Sequence, residues 1–269
     1  MSKLFRRRTV VTTAAMVLLM TSAACSSSST ESGGTGGTGG EGRTITVATS
    51  NDAPFAFTVN GDRLSGIDGE MINAIAKKKN WTIKPFVTEF ATLIAALKGK
   101  KADVLADAMY ITDERKKQIA FTDVWYTQGE GMLVPGDSTL TSREDVKGKI
   151  LGGQTGTVFA DFIGTLGGSQ TKFFDSQAAL ITAVENKQVD AAFTDSAVVA
   201  YSLVQKPNPK IKLVTPYTPF FPGKIGAGVR TEDTQLLADL NAGLKELKTT
   251  PEYVAILKKY GLTEQNAAK

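Results

Sequence analysis

The eleven residues Leu93-Ile-Ala-Ala-Leu-Lys-Gly-Lys-Lys-Ala-Asp103 return later in the chain as Leu180-Ile-Thr-Ala-Val-Glu-Asn-Lys-Gln-Val-Asp190, identical at five of eleven positions. Both copies read as an amphipathic helix, a turn, and an Asp that opens a short apolar strand. In the first copy Phe90, Leu93, Ile94 and Leu97 fall at i, i+3, i+4 and i+7, the stripe of a helix lying on a sheet. Each strand then delivers a second acid, Asp107 in one copy and Asp195 in the other. Two lobes built on one helix–turn–strand plan would set these strand ends opposite each other across a cleft. In open α/β sheets, ligands bind at such strand ends.

Outward from the repeat, strand-type and helix-type segments alternate, which argues for an α/β fold. Strands are expected at Thr44–Ala48, Ile83–Val87, Asp103–Ala106, Gly131–Val134, Lys149–Gly152, Asp190–Phe193, Lys212–Val214 and Ile225–Val229. Helices are expected at Gly69–Lys79, Val158–Leu166, Ala178–Asn186, Ser196–Gln205, Thr234–Thr249 and Pro251–Tyr260.

The 269 residues carry 31 Lys+Arg against 27 Asp+Glu, a formal charge of +4. That excess sits at the N-terminus: without Lys3, Arg6, Arg7 and Arg8 the remainder is formally neutral, so composition gives no support for a nucleic-acid partner. The chain has no His and a single Cys. Ser-His-Asp and Cys-His chemistry, the commonest zinc ligand, CxxC sites and intramolecular disulfides are therefore excluded, and no metal or cofactor is expected. The remaining inventory of carboxylates, guanidinium groups, hydroxyls and aromatics suits binding better than catalysis.

Residues 1–24 combine a basic start, an apolar stretch from Val10 to Met20 and the small residues Ser22-Ala23-Ala24 before Cys25. They resemble a bacterial lipoprotein signal peptide, with Cys25 as the lipidated residue. The apolar run, broken by Thr12, Thr13, Thr21 and Ser22, is short for a membrane span. Sec and twin-arginine export both remain open. Ser26–Arg43 holds seven Gly and almost nothing apolar, so residues 25–43 read as a lipidated Cys and a flexible tether, of roughly 20–25 Å mean span.

The run Met109-Tyr-Ile-Thr-Asp-Glu-Arg-Lys-Lys-Gln-Ile-Ala-Phe-Thr-Asp-Val-Trp-Tyr126 resembles the central signature of the polar amino-acid solute-binding proteins of ABC importers, bacterial extracellular solute-binding protein family 3. Pro54-Phe55, Gly66-Ile-Asp68, Gly153-Gln-Thr-Gly-Thr157 and Asp190-Ala-Ala-Phe-Thr-Asp195 follow the family's order, and the resemblance spans residues 44–262. It implies a type II periplasmic-binding-protein fold, two α/β lobes joined by two crossing strands with a ligand cleft between them. Lobe 1 would be discontinuous, 44–129 and 220–269, and lobe 2 would be 130–219. Trp125 and Tyr126 would pack at the hinge. Closure around ligand would be a population shift driven by contacts made in the closed state.

The resemblance assigns Arg115 to the ligand's carboxylate, which a guanidinium grips by two charge-assisted hydrogen bonds. Its replacement by Ala is expected to abolish binding and leave the empty protein's thermal midpoint little changed. Asp195 would receive the ammonium from the other lobe. Gly156 and Thr157 precede a helix and would aim backbone N–H groups at an anion; a cap role for Thr157 is compatible. The family usually carries Gly and a small hydroxyl residue where this chain has Ala108 and Tyr110. Tyr110, Phe55 and Phe90 would form an aromatic box for a delocalised cation. Asn51-Asp-Ala-Pro-Phe55, Thr88-Glu-Phe90 and Met109-Tyr-Ile-Thr112 are similar to segments of ectoine-binding members, which gives Asp52 the role of pairing with a cationic ring. Alternation along the strand from Asp103 places Asp107 behind the cleft.

The expected function is a lipid-anchored, monomeric receptor on the extracytoplasmic face of the bacterial membrane. It would bind a polar amino acid or an ectoine-like zwitterion and deliver it to an ABC permease. A sensory ligand-binding protein and a cyclohexadienyl-dehydratase-like enzyme on the same scaffold are the alternatives, the latter needing a carboxylate of raised pKa such as Asp107.

Overall fold

In the computed structural model, which describes residues 42–268, the chain builds two five-stranded sheets. The first orders its strands Thr82–Val87, Thr44–Thr49, Val104–Leu105, Gly228–Val229, Ala120–Phe121. The second orders them Gln170–Phe174, Ile150–Gln154, Ala191–Asp195, Glu130–Pro135, Ile211–Leu213. Both follow one pattern: three parallel strands, then a fourth antiparallel to both neighbours. In the first sheet that fourth strand arrives late in the chain, so residues beyond 222 return to the lobe where the fold began. The two sheets are bridged by an antiparallel pair, Tyr126–Gln128 with Gly223–Ile225. This is the type II periplasmic-binding-protein fold, with its cleft between the lobes.

The repeat in the sequence is also a repeat in three dimensions. Helices Leu93–Lys98 and Gln177–Glu185 each lead through a left-handed lysine, Lys100 at φ 58° and Lys187 at φ 55°, into the third strand of their sheet. Asp103 then accepts the Thr46 N–H at 2.9 Å, and Asp190 accepts the Ile150 N–H at 2.7 Å. Each Asp thus ties the start of its strand to the neighbouring strand, a local reason for the residue at that place in both copies.

Apolar stripes become core as their periodicity implies. Ile67–Lys79 buries Ile67, Met71, Ile72, Ile75 and Ala76, and Thr234–Lys248 buries Leu236, Leu240, Leu244 and Leu247. A Cβ on Gly243 would lie 2.6 Å from Ile75, so glycine is what lets these two helices approach. The expected strand Ile225–Val229 is two strands, because the chain leaves the crossing pair at Gly226, whose N–H turns to Met109 O, and only then joins the first sheet. The hairpin Phe57–Val59 with Arg63–Ser65, turning at Asn60-Gly61, and the strand Gln170–Phe174 went unexpected. The second reads as polar and half-exposed, which hides it from an apolar-run criterion.

The expected signal peptide, Cys25 and all but Gly42 and Arg43 of the expected tether lie outside the described residues. Among the described residues no helix is long and apolar enough to cross a membrane.

Candidate functional site

The lobes meet along a seam that encloses three adjoining spaces. The innermost has a volume of about 10 Å³ and is lined by Ser50, Asp52, Phe55, Phe90 and Asp107 of the first lobe and by Gln154, Thr157, Gln177 and Asp195 of the second. About one water centre fits in that volume. On one side, sharing Thr157, lies an open pocket of about 580 Å³ bounded by Tyr110, Arg115, Gly156 and Lys224. On the other, sharing Asp52 and Gln177, lies one of about 460 Å³ reaching Tyr201 and Lys206. A ligand larger than water reaches the inner space only when the lobes part.

Arg115 stands on a single helical turn, Asp113–Lys116, that Thr112 caps by accepting the Arg115 N–H. The side chain is buried at 8% exposure, with its guanidinium 5.8 Å from the Phe90 ring centroid. It donates to Tyr110 O at 2.9 Å and, across the seam, to Gly156 O at 3.0 Å. Burial lowers its pKa to about 10, so it remains a cation at neutral pH. A guanidinium has five N–H donors, and two are committed to carbonyls. Three remain for an anion.

Tyr110 crosses the seam from the same lobe. Its hydroxyl donates to Asp195 Oδ1 at 3.3 Å, and its ring packs edge-on against Phe159. A Cβ on Gly223 would sit 1.8 Å from the Tyr110 ring, so the crossing strand makes room for this phenol by lacking a side chain. Asp195, at the end of Ala191–Asp195, also accepts Gln128 Nε2 at 2.7 Å from the crossing pair.

Three carboxylates line the inner space, and burial moves all of them upward. Asp195 is pushed to about 7, Asp52 is raised by burial against the opposing hydrogen bonds of Ser50 and Gln154, and Asp107 is raised well above the usual range by burial and by the charge of Asp52. Behind them Asp68 is pushed to about 7 by burial. Removing ionised carboxylates from water without cations costs free energy, and the shifts express that cost.

The structure brings Asp52, Phe55, Phe90, Thr157 and Asp195 to one cavity and sets Arg115, Tyr110 and Gly156 on its outer side. It alters four expectations. Gly156 meets Arg115 through its carbonyl, while Thr157 turns its hydroxyl to Gln154 O at 2.8 Å, and the helix begins later, at Phe159. Ala108 points its N–H at Asp68 rather than into the cavity, and takes the left-handed φ of 49° in which glycine is unstrained. Tyr110 does not share the inner cavity with Phe55 and Phe90. Asp107 lines the cavity instead of standing behind it: Val104–Leu105 is only two residues long, and the bend through Ala108 ends the alternation that the expectation relied on. Its equivalence to Asp195 as the second acid of each repeat is the signal that marks it. Gln154, Gln177 and Ser50 had no such signal. Because Arg115 satisfies the buried carbonyl of Tyr110, its loss should also cost stability, a contribution that the expectation of an unchanged midpoint left out. Among the described residues no cluster of three or more Cys, Asp or Glu is arranged to hold a metal ion.

The model of bacterial extracellular solute-binding proteins, family 3, matches residues 45–263. The arginine-binding extracellular protein ArtP of Bacillus subtilis is 30% identical over 232 residues, covering 85% of this chain and 90% of that protein. A probable histidine-binding protein of Campylobacter jejuni is 30% identical over 221 residues, 81% of this chain and 85% of that one. Among solved structures, an ancestral arginine-binding protein bound to arginine superposes with a TM-score of 0.74 at 32% identity, covering 82% of this chain and all of that one. An ancestral arginine-binding protein bound to glutamine gives 0.75, also at 32%, over 81% of this chain and 97% of that one.

Proposed function

The chain belongs to the bacterial extracellular solute-binding proteins, family 3, and from that premise we propose that it captures a basic amino acid between its lobes for an ABC importer. The observation that carries this reading is the charge count of the seam: Asp52, Asp107 and Asp195 line one buried cavity beside a single guanidinium, Arg115. A neutral zwitterion brings one anion and one cation, which leaves two acids uncompensated. A ligand with a second cation compensates one of the two, which a neutral-tailed ligand does not. In this reading the α-carboxylate takes the free N–H groups of Arg115, the α-ammonium goes to Asp195, and the distal cation lies between the faces of Phe55 and Phe90 toward Asp52 and Asp107. Relatives named for arginine and histidine support a basic ligand, and none of those reported is named for ectoine. That the relatives are named as binding proteins supports a non-catalytic role.

A thermal-shift panel of arginine, lysine, histidine, glutamine, glutamate, ectoine and glycine betaine tests the reading. A ligand at about 100 times its Kd stabilises by about 2.7 kcal/mol, or about 5–10 °C for a body of this size. Basic amino acids should give the largest shifts; a larger shift with glutamate or with betaine would refute the charge argument.

We further propose that the chain is exported, lipidated at Cys25 and held by its Gly/Ser tether as a monomer at the extracytoplasmic face, within reach of a permease. Cys25→Ala should shed the protein from the membrane fraction into the soluble extracytoplasmic fraction. Continued membrane retention of that variant would count against the anchor.

A further inference from the structure

Two hydroxyls at the end of Thr44–Thr49 have more partners than protons. Thr49 Oγ1 lies 2.6 Å from Ala56 O and 3.2 Å from Asp107 Oδ1, and already accepts the Asn51 N–H at 3.0 Å. Ser50 Oγ lies 3.0 Å from Asp52 Oδ2 and is also hydrogen-bonded to Asp107 Oδ2, which accepts the Ser50 N–H at 2.8 Å. Each hydroxyl owns one proton, so two protons face four acceptor contacts. With the Thr49 proton on Ala56 O, the contact to Asp107 holds only if the carboxyl supplies a proton itself. A proton on the Asp52–Asp107 pair would fill a contact that the two hydroxyls cannot.

The surroundings agree. Asp107 is 2% exposed and Asp52 is half-buried. Facing the pair are Asp68 and the Tyr126 hydroxyl behind Asp107, and Asp195 beyond Asp52, with the charge of Arg115 acting on Asp195. Gln154, which donates to Asp52 at 3.3 Å, and Gln177 are neutral. Two ionised acids in this setting repel each other at close range with little solvent to screen them.

We propose that Asp52 and Asp107 hold a proton which the ligand's distal cation displaces, so that a basic amino acid is captured in exchange for a proton while a neutral-tailed one is not. The cation replaces one positive charge by another: the proton leaves to the buffer, and the N–H donors of the ligand take the carboxyl oxygens that the hydroxyls could not serve. This rests on the basic-ligand reading above, and it makes Asp107 a specificity-determining residue.

The test is calorimetry on the purified full chain with L-arginine and L-glutamine, in two buffers of different ionisation enthalpy. Proton release common to both ligands, such as release from Asp195 on meeting the α-ammonium, cancels in the comparison. Arginine should release about one proton more than glutamine, and its affinity should rise by up to about tenfold per pH unit through the titration of the pair, relative to glutamine. In Asp107→Asn the extra proton should vanish and arginine affinity should fall at least tenfold. If glutamine does not bind, the unaltered chain against Asp107→Asn supplies the difference; if that variant does not fold, the two-ligand comparison on the unaltered chain decides. Arginine bound with no extra proton overturns the exchange and leaves the ligand reading standing. No binding of any basic amino acid overturns the ligand reading itself.

Discussion

Arg115 shows what one side chain can do when its donors outnumber its anchors. Two N–H groups rest on the carbonyls of Tyr110 and Gly156, which fixes the plane of the guanidinium and leaves an edge for a carboxylate. Arg115→Lys keeps the charge and loses the fork. Affinity should fall by about 100-fold, corresponding to about 2–3 kcal/mol for a charge-assisted pair, and stability by about 1–2 kcal/mol as the buried Tyr110 carbonyl loses its donor. Calorimetry and chemical denaturation check the two halves; full affinity in the lysine variant would remove Arg115 from the ligand. At this scale the sequence supplied residue types that the structure brings to the seam, Arg115, Asp52 and Asp195. At Asp107 the repeat marked the residue but not its direction, because whether a carboxylate faces a cleft or a core depends on the backbone bend at the adjacent Ala108.

At the scale of elements, the repeated helix–turn–strand unit was visible as five identities, and its structural content lies in the two aspartates that tie strand starts to their neighbours. The crossing region had no comparable signature. There Glu130, fully buried, accepts the N–H groups of Phe220 and Phe221 and the Tyr217 hydroxyl, with Arg143 stacked on the Tyr217 and Phe220 rings. One carboxylate thus pins the segment entering the second crossing to the strand leaving the first. Glu130→Ala orphans two backbone donors, and at about 1–3 kcal/mol each the variant should lose at least about 2 kcal/mol in denaturant unfolding. A loss below about 0.5 kcal/mol would show that the segment is held by its aromatic stacking instead.

At the scale of the molecule, the function is the meeting of two lobes. Gly156 takes φ 79° on the second lobe, and a Cβ there would approach the Ala91 Cα of the first to 2.8 Å. Gly156→Ala should therefore hinder closure far more than folding. Affinity should fall at least tenfold while the ligand-free protein loses about 1 kcal/mol, the cost of an alanine at positive φ. Small-angle scattering should show a smaller decrease in radius of gyration with saturating arginine than in the unaltered chain. Unchanged affinity would mean that the lobes need not approach this closely to hold ligand.

By itself the sequence determined the class of fold, the twofold plan and the chemical inventory, because periodicity, repeats and residue types are local properties of the chain. It also confined the excess positive charge to the first residues, leaving a neutral body. Only the tertiary structure decided which charges face one another. Asp52, Asp107 and Asp195 come from separate segments and two lobes: the fold of the first lobe sets Asp52 and Asp107 around the Ser50 hydroxyl, and the seam brings Asp195 to the same cavity. Electrostatic coupling depends on distance through space and on exclusion of water, and neither is a property of position along the chain.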